Sequence, residues 1–311
     1  KVETQRVSFT EINKNHPTQM FFGNIGEEEP SKHLSMTNEP IKIIFKSFNV
    51  AILNEIKICF KEFIFRTNFG TRQSKGYGSF YIKDSLPQEF HNTPYLYFFQ
   101  NAPGRYQYSK VLDVINFHYQ RLKSGINFRG VYFHSFLKEF LFANKNYSWE
   151  KRWLKEKFIG GLDPNDRPEK FARIFLGYNS SYTFKKTPPN PREGEVYPER
   201  NTDVTIFHES DEISRYKSPI TYKPIFVGNE WTIFIILEEI NPDILDKNFQ
   251  FYRNKISAAD RQFKSPFNRR TPNESIDLKN LIDSYHLELG KKWKAYTFNG
   301  QEIGGLNSGK L

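Results

Sequence analysis

Phe69-Gly70-Thr71-Arg72-Gln73-Ser74-Lys75-Gly76-Tyr77-Gly78-Ser79-Phe80 is the stretch on which the reading of this chain turns. Three glycines fall within nine residues, with Arg72 and Lys75 between them and Arg66 just ahead. Glycine reaches positive φ without steric cost and lets an anion approach the main chain closely. Consecutive N–H groups in such a turn form a nest for an anion. Arginine grips phosphate with two parallel hydrogen bonds, whereas lysine acts as a point charge. Tyr77 offers a ring face to an unpaired base. Together these parts suit a single-stranded RNA backbone better than a small ligand. An ordinary connection between a helix and a strand has the same composition, so both readings stay open on the residues alone. The nucleotide-binding phosphate loop is excluded, because five residues separate Gly70 from Gly76 and Tyr77 follows where that motif needs lysine. Gly305 to Lys310 fails the same spacing.

The flanks set the loop in a strand–helix–loop–strand order. Residues 41–48 alternate as a strand, with Ile41, Ile43 and Phe45 on one face and Ile44 breaking the pattern. Val50, Leu53, Ile56, Phe60 and Phe63 recur at steps of three and four, which predicts an amphipathic helix over 50–64. Residues 79–82 begin the next strand. Further on, 94–99 read as a ring-rich strand, and 109–121, 133–144 and 149–158 as helices, the last closed by Gly160-Gly161. Pro188, Pro189, Pro191, Gly194 and Pro198 mark 187–201 as a linker. Strands are predicted over 203–207, 220–227 and 231–237, the last two forming a hairpin across Gly228-Asn229-Glu230. Ile276, Leu278, Leu281, Ile282, Tyr285 and Leu289 predict a final helix ending at Gly290. A last short strand is read over 294–298. Residues 1–39 read as a polar arm, and the glycine-rich end over 300–311 as mobile.

Composition bounds the class. The 311 residues suffice for one large domain or two ordinary ones. Apolar residues are 38% of the chain, but 31 Phe and 17 Tyr bury much area each, so a packed core is expected. The net charge of +10 favours a polyanion partner or simply keeps the surface solvated. A single cysteine, Cys59, excludes an internal disulfide and a cysteine-rich zinc site, and fits a reducing, cytoplasmic setting. No run of about 18 apolar residues predicts a membrane span, and no signal peptide is visible. The chain opens on Lys1 rather than methionine, which leaves room for a preceding segment.

Helix, then FGTRQSKGYGSF, then strand resembles the glycine-rich loop of the RAMP superfamily, the ferredoxin-fold RNA binders of CRISPR systems. Gly70, Arg72, Ser74, Lys75, Gly76, Tyr77 and Gly78 occupy the places of that loop. Arg215 to Lys223, RYKSPITYK, resembles a basic strand entry in a RAMP subunit that caps one end of a Cmr-type complex. The two stretches cover about a tenth of the chain. The resemblance implies an α+β fold of one or two ferredoxin-like (RRM-like) domains with a helical insertion. Mapped onto the chain, 1–105 would be a ferredoxin-like portion carrying the loop, 106–200 the helical insertion and proline-rich linker, and 201–311 a second ferredoxin-like portion. It implies guide RNA and target RNA as ligands, other RAMP and Cas subunits as partners, and no cofactor. Arg66, Gly70, Arg72, Gln73, Lys75, Gly76, Tyr77 and Gly78 would contact the RNA, with Arg215 and Lys217 as a secondary set. The family's usual first strand and helix lie further ahead of the loop than can be assigned here.

A catalytic role would rest on other residues. RAMP endoribonucleases that mature guide RNA generally carry the loop near the carboxyl end, whereas here it lies in the first third. A histidine acid–base is chemically feasible. His118, however, sits by a helical stripe and reads as packing, and His16 and His33 lie in the polar arm. Asp163 and Asp166, in Gly-Leu-Asp-Pro-Asn-Asp, mimic the acidic loop of target-cutting subunits but read better as turn formers. Lys151, Arg152, Lys155 and Lys157 with Trp149 and Trp153 form a basic aromatic helix that either follows a phosphate backbone or packs its tryptophan inward. The sequence therefore predicts a non-catalytic RNA-binding subunit, with a guide-maturing endoribonuclease or a basic protein scaffold as alternatives.

Overall fold

A computed structural model describes residues 2–3, 8–11, 33–36, 41–70, 72–82, 95–99, 106–128, 131–159, 169–179, 181–184, 204–227, 230–253, 267–292, 297–298 and 301–302. The linker over 187–201, His16, Asp163, Asp166, Gly160-Gly161 and Gly228-Asn229 lie outside these. In chain order, the first elements are β1 (Val2–Glu3), β2 (Ser8–Glu11), β3 (His33–Met36), β4 (Lys42–Ile43), α1 (Val50–Arg66), β5 (Tyr95–Phe99) and α2 (Tyr106–Lys123). There follow β6 (Ile126–Phe128), β7 (Val131–Phe133), α3 (Phe136–Lys145), α4 (Glu150–Phe158), β8 (Ser181–Phe184) and β9 (Val204–Glu209). The chain continues through β10 (Ile220–Val227), β11 (Glu230–Leu237), β12 (Asn248–Arg253), β13 (Phe267–Arg270), α5 (Leu278–Lys292), β14 (Thr297–Phe298) and β15 (Gln301–Glu302). The fold is mixed α and β, and every strand pair with a resolved register is antiparallel.

The chain divides into two compact units. The first comprises Lys1–Tyr119, Thr221–Ile236 and Glu288–Leu311. Its main sheet has the order β10-β11-β5, so a hairpin from the last third of the chain pairs with a strand from the first. Trp231 stands opposite Phe99 and Thr232 opposite Phe98. Below it, Phe65, Ile225, Phe234 and Ile236 form a buried apolar cluster, with the Phe65 and Phe234 rings 5.2 Å apart. Asn49 starts α1 by accepting a hydrogen bond from the Ala51 N–H on its side chain, as an N-cap does. Of the whole helix only Ile64 and Phe65 are buried.

The second unit comprises Gln120–Ile220 and Leu237–Leu287. Its sheet has the order β13-β12-β9-β8. Val204, Ile206 and His208 point to the buried face of β9, as do Phe249 and Phe251 of β12. Trp153 of α4 packs edge-on to Phe251 at 5.1 Å and lies 5.5 Å from Phe267. The sheet is legible in β9, close to the strand read over 203–207. The sequence reading missed β8, β12 and β13.

Four expectations come out differently. The polar arm read over 1–39 holds β1, β2 and β3 among its described residues, with β2 and β3 paired. Of residues 41–48 only Lys42–Ile43 pairs, with β1. Residues 79–82 make no strand, and Ser79 forms a single bridge to Asn68. Pro224 explains the third case: it has no N–H to give a ladder, and instead its carbonyl accepts from the Ser79 hydroxyl at 2.7 Å. The final helix runs through Gly290 to Lys292 rather than ending at the glycine.

Candidate nucleic-acid interface

The glycine-rich stretch folds as a hairpin closed at its root. Asn68 bridges Ser79, and the Phe69 N–H donates to the Gly78 carbonyl at 2.9 Å. Four described residues of the turn adopt positive φ: Gly70 at 84°, Arg72 at 56°, Gly76 at 84° and Gly78 at 68°. At Gly78 a Cβ would overlap the main chain of Phe69, so no larger residue fits the closed root. At Gly76 a Cβ would lie 2.6 Å from Ile115 Cδ1 and 3.2 Å from Pro224 Cδ, so the turn lies flush against α2 and β10. Around Gly70 the space is open. One side of the hairpin is thus sealed onto the unit, while the Gly70 corner faces outward.

The sealed side is held by hydrogen bonds that join two distant stretches of sequence. The Tyr222 N–H donates to the Ser74 carbonyl at 3.2 Å, in a parallel bridge between Lys75 and Tyr222. The Asn68 amide donates to the Gln73 carbonyl at 2.6 Å and to the Tyr222 carbonyl at 2.9 Å, and Asn68 is only 2% exposed. Lys223 is wholly buried and donates to the carbonyls of Ile64 and Thr67, both at 2.8 Å. These carbonyls are left over where α1 ends, and a cation there is favoured by the helix dipole. Burial works the other way and pushes the Lys223 ammonium down to about 7. Asn68, Tyr222 and Lys223 were not singled out in the sequence. A lone lysine inside the apolar run Ile-Thr-Tyr-Lys-Pro-Ile-Phe-Val was the available signal.

The cations differ in their surroundings. The Arg72 guanidinium lies 5.7 Å from the centre of the Tyr77 ring. The Lys75 ammonium lies 4.3 Å from the Tyr119 ring centre, and burial, then the neighbouring Arg72 charge, lowers it to about 8. Arg66 is exposed and ion-pairs with Glu62 one turn back at 2.8 Å. Gly70, Arg72, Gln73, Lys75, Gly76, Tyr77 and Gly78 are therefore gathered in one hairpin of the first unit, with Arg66 at the end of the preceding helix. Arg215 and Lys217 belong to the second unit: Arg215 is exposed, and Lys217 pairs with Glu238 at 2.9 Å. From the RYKSPITYK stretch it is Tyr222 that meets the hairpin, while Lys223 meets the end of α1 just ahead of it.

Elsewhere the packing reading holds for Trp153 and His118. In α4, Trp153 is 1% exposed and the Lys151 ammonium donates to the Ser124 carbonyl at 3.0 Å. Lys155 and Lys157 lie over the Phe184 and Phe267 rings. His118 is buried within α2. Among the described residues no group of three His, Cys, Asp or Glu side chains is placed to hold a metal ion. Nor is any described helix long and apolar enough to cross a membrane.

Comparison with known families covers nearly the whole chain. Residues 1–126 match the Cmr1 N-terminal domain, and residues 132–301 match the Cmr1 C-terminal domain. No curated protein and no solved structure matches the chain.

Proposed function

The chain belongs to the Cmr1 family, RAMP-type subunits of the multisubunit type III CRISPR Cmr complex, and from that premise we propose that it grips the backbone of guide RNA, or of the guide–target duplex, without cleaving it. The observation that carries the reading is the hairpin 69–78. Its sealed side is tied to β10, and its open corner presents Gly70 and Arg72 at positive φ. A turn fixed in this way presents main-chain N–H groups and a guanidinium without further ordering, which lowers the entropic cost of holding a phosphate. Contacts of this kind are blind to base sequence and weaken with salt. On the same reading the units have ferredoxin-like architecture, the RNA and neighbouring Cas subunits are the partners, and the protein works in the cytoplasm.

Filter binding of single-stranded RNA at two salt concentrations tests this. Arg72→Ala with Lys75→Ala is expected to weaken binding about tenfold, on the order of 1–2 kcal/mol, and to flatten the salt dependence. Unchanged affinity and slope would remove the hairpin from the RNA site.

A further inference from the structure

The glycine-rich stretch 69–80 begins and ends on phenylalanine, and backbone gripping gives neither ring a role. Phe69 and Phe80 lie 5.9 Å apart at the root of the turn. From Phe69 the contact continues to Phe63 of α1 at 5.8 Å, to Phe60 at 6.3 Å and to Phe45 at 5.0 Å. Five rings thus run in file from the mouth of the glycine turn along α1. They are not core. Phe45, Phe63, Phe69 and Phe80 are each between 36% and 50% exposed. Contiguous exposed aromatic surface of this kind marks an interaction site.

What covers it follows from the charge around it. Lys57 and Lys61 lie one turn apart on α1, either side of Phe60 in sequence, and both are exposed, as are Lys42 and Lys46 on the approach to the helix; of the two acidic residues of α1, Glu55 is exposed and Glu62 is ion-paired with Arg66. Arg72 lies in the same turn, its guanidinium 5.7 Å from the Tyr77 ring, beyond the root where the file begins. The centre of a protein-binding surface is depleted in lysine, whereas rings interleaved with cations are the pattern that holds unpaired nucleotides. The rings supply sequence-tolerant faces for bases, and the cations track the phosphates.

Resting on the RNA-binding reading above, we propose that Phe80, Phe69, Phe63, Phe60 and Phe45 form a stacking platform for unpaired bases of the RNA strand whose backbone the 69–78 hairpin holds. The bound strand then leaves the glycine turn single-stranded, bases turned onto α1, phosphates toward Lys57 and Lys61. Paired bases present no free face, so a continuous duplex cannot use this surface.

The test uses the full chain and a single-stranded RNA 20-mer carrying 2-aminopurine, with a duplex RNA of the same length for comparison. Phe63→Leu with Phe69→Leu is expected to weaken single-strand binding roughly tenfold, to abolish 2-aminopurine quenching, and to leave duplex affinity and the salt slope unchanged. Phe63→Tyr with Phe69→Tyr, which keeps the rings, is expected to retain both binding and quenching. A circular-dichroism melt unchanged from the parent protein confirms that the leucine variant folds. If the parent protein binds RNA and the leucine variant binds and quenches equally well, the platform is overturned. If that variant instead loses other subunits of the complex while keeping its RNA affinity, the rings dock protein and the proposal fails. If the parent protein binds no RNA, the backbone-gripping reading falls first and the platform with it.

Discussion

The Lys223 ammonium donates a hydrogen bond to the Thr67 carbonyl oxygen, 2.8 Å away in space and 156 residues earlier in the chain. A second hydrogen bond reaches the Ile64 carbonyl. One buried cation therefore closes the carboxyl end of α1 and fixes the point from which the glycine hairpin departs. Replacing it with methionine keeps the volume but leaves two buried carbonyls without a donor. Lys223→Met is expected to destabilise the protein by about 2 kcal/mol, read as a lowered urea midpoint, and to weaken RNA binding without touching the RNA.

The same residue gives a pH signature. In the unfolded chain Lys223 holds its proton up to its ordinary pKa of 10.5, whereas in the folded protein burial releases it at about 7. Across that window the unfolded state binds more protons, so stability rises with pH. The cost of the charged form is fully present below about pH 7. Urea denaturation from pH 7 to 9.5 should show a rising midpoint in the parent protein. The rise should be smaller in Lys223→Met.

Lys75 sets a second, opposite trend on binding. Its ammonium is lowered to about 8. RNA phosphates favour the protonated form, so affinity should fall as pH climbs from 7 to 9 at constant ionic strength. Lys75→Arg keeps its charge throughout and should remove the pH dependence. Filter binding at three pH values reads this directly, and a parent affinity flat across the range would exclude Lys75 from the phosphate contact.

The glycines of the turn should separate by position. Gly70→Ala meets open space and pays only for its positive φ, about 1–2 kcal/mol. Gly78→Ala pays the same and also drives a Cβ into the Phe69 main chain, so the root of the hairpin must open. Thermal denaturation should rank Gly78→Ala as clearly the more damaging. A reversed order would contradict the closed root.

In the second unit, the fully buried Glu150 lies 3.8 Å from the Arg173 guanidinium, which also donates to the Ser124 hydroxyl at 2.5 Å. Burial raises the Glu150 pKa and the Arg173 charge pulls it back. Arg173→Met strands the carboxyl and is expected to cost about 3 kcal/mol, whereas Glu150→Gln, which removes the charge to be solvated, is expected to cost less. Urea midpoints of the two variants compare them.

The local order around α1 was legible because it is written locally. Leu53, Ile56, Phe60 and Phe63 announce the helix, and the turn glycines announce the hairpin. The failures have a common cause in pairing between distant segments. Residues 79–82 have strand composition, but the neighbour they meet is Pro224, which cannot continue a ladder. The strand Phe267–Arg270 carries two arginines and shows no apolar run, and it exists because Asn248–Arg253 lies alongside it. At the candidate site the cations and glycines were legible. The anchoring of Ser74 and Lys75 by Tyr222 was not, since nothing local in either stretch points to the other. Exposure of the Phe69 and Phe80 rings was equally hidden, because alternation alone assigns such residues to a core.

The Ser79 hydroxyl and the Pro224 carbonyl are 145 residues apart in the chain. A ribosome needs on the order of ten seconds to cover that distance. Throughout that interval the nascent glycine segment has been made but lacks the β10 partners of Asn68, Ser74 and Ser79. Closure of this hairpin against β10 thus waits for the last third of translation, so a chain that stalls or is cut before β10 carries the glycine-rich motif in its sequence without the partners that hold its shape.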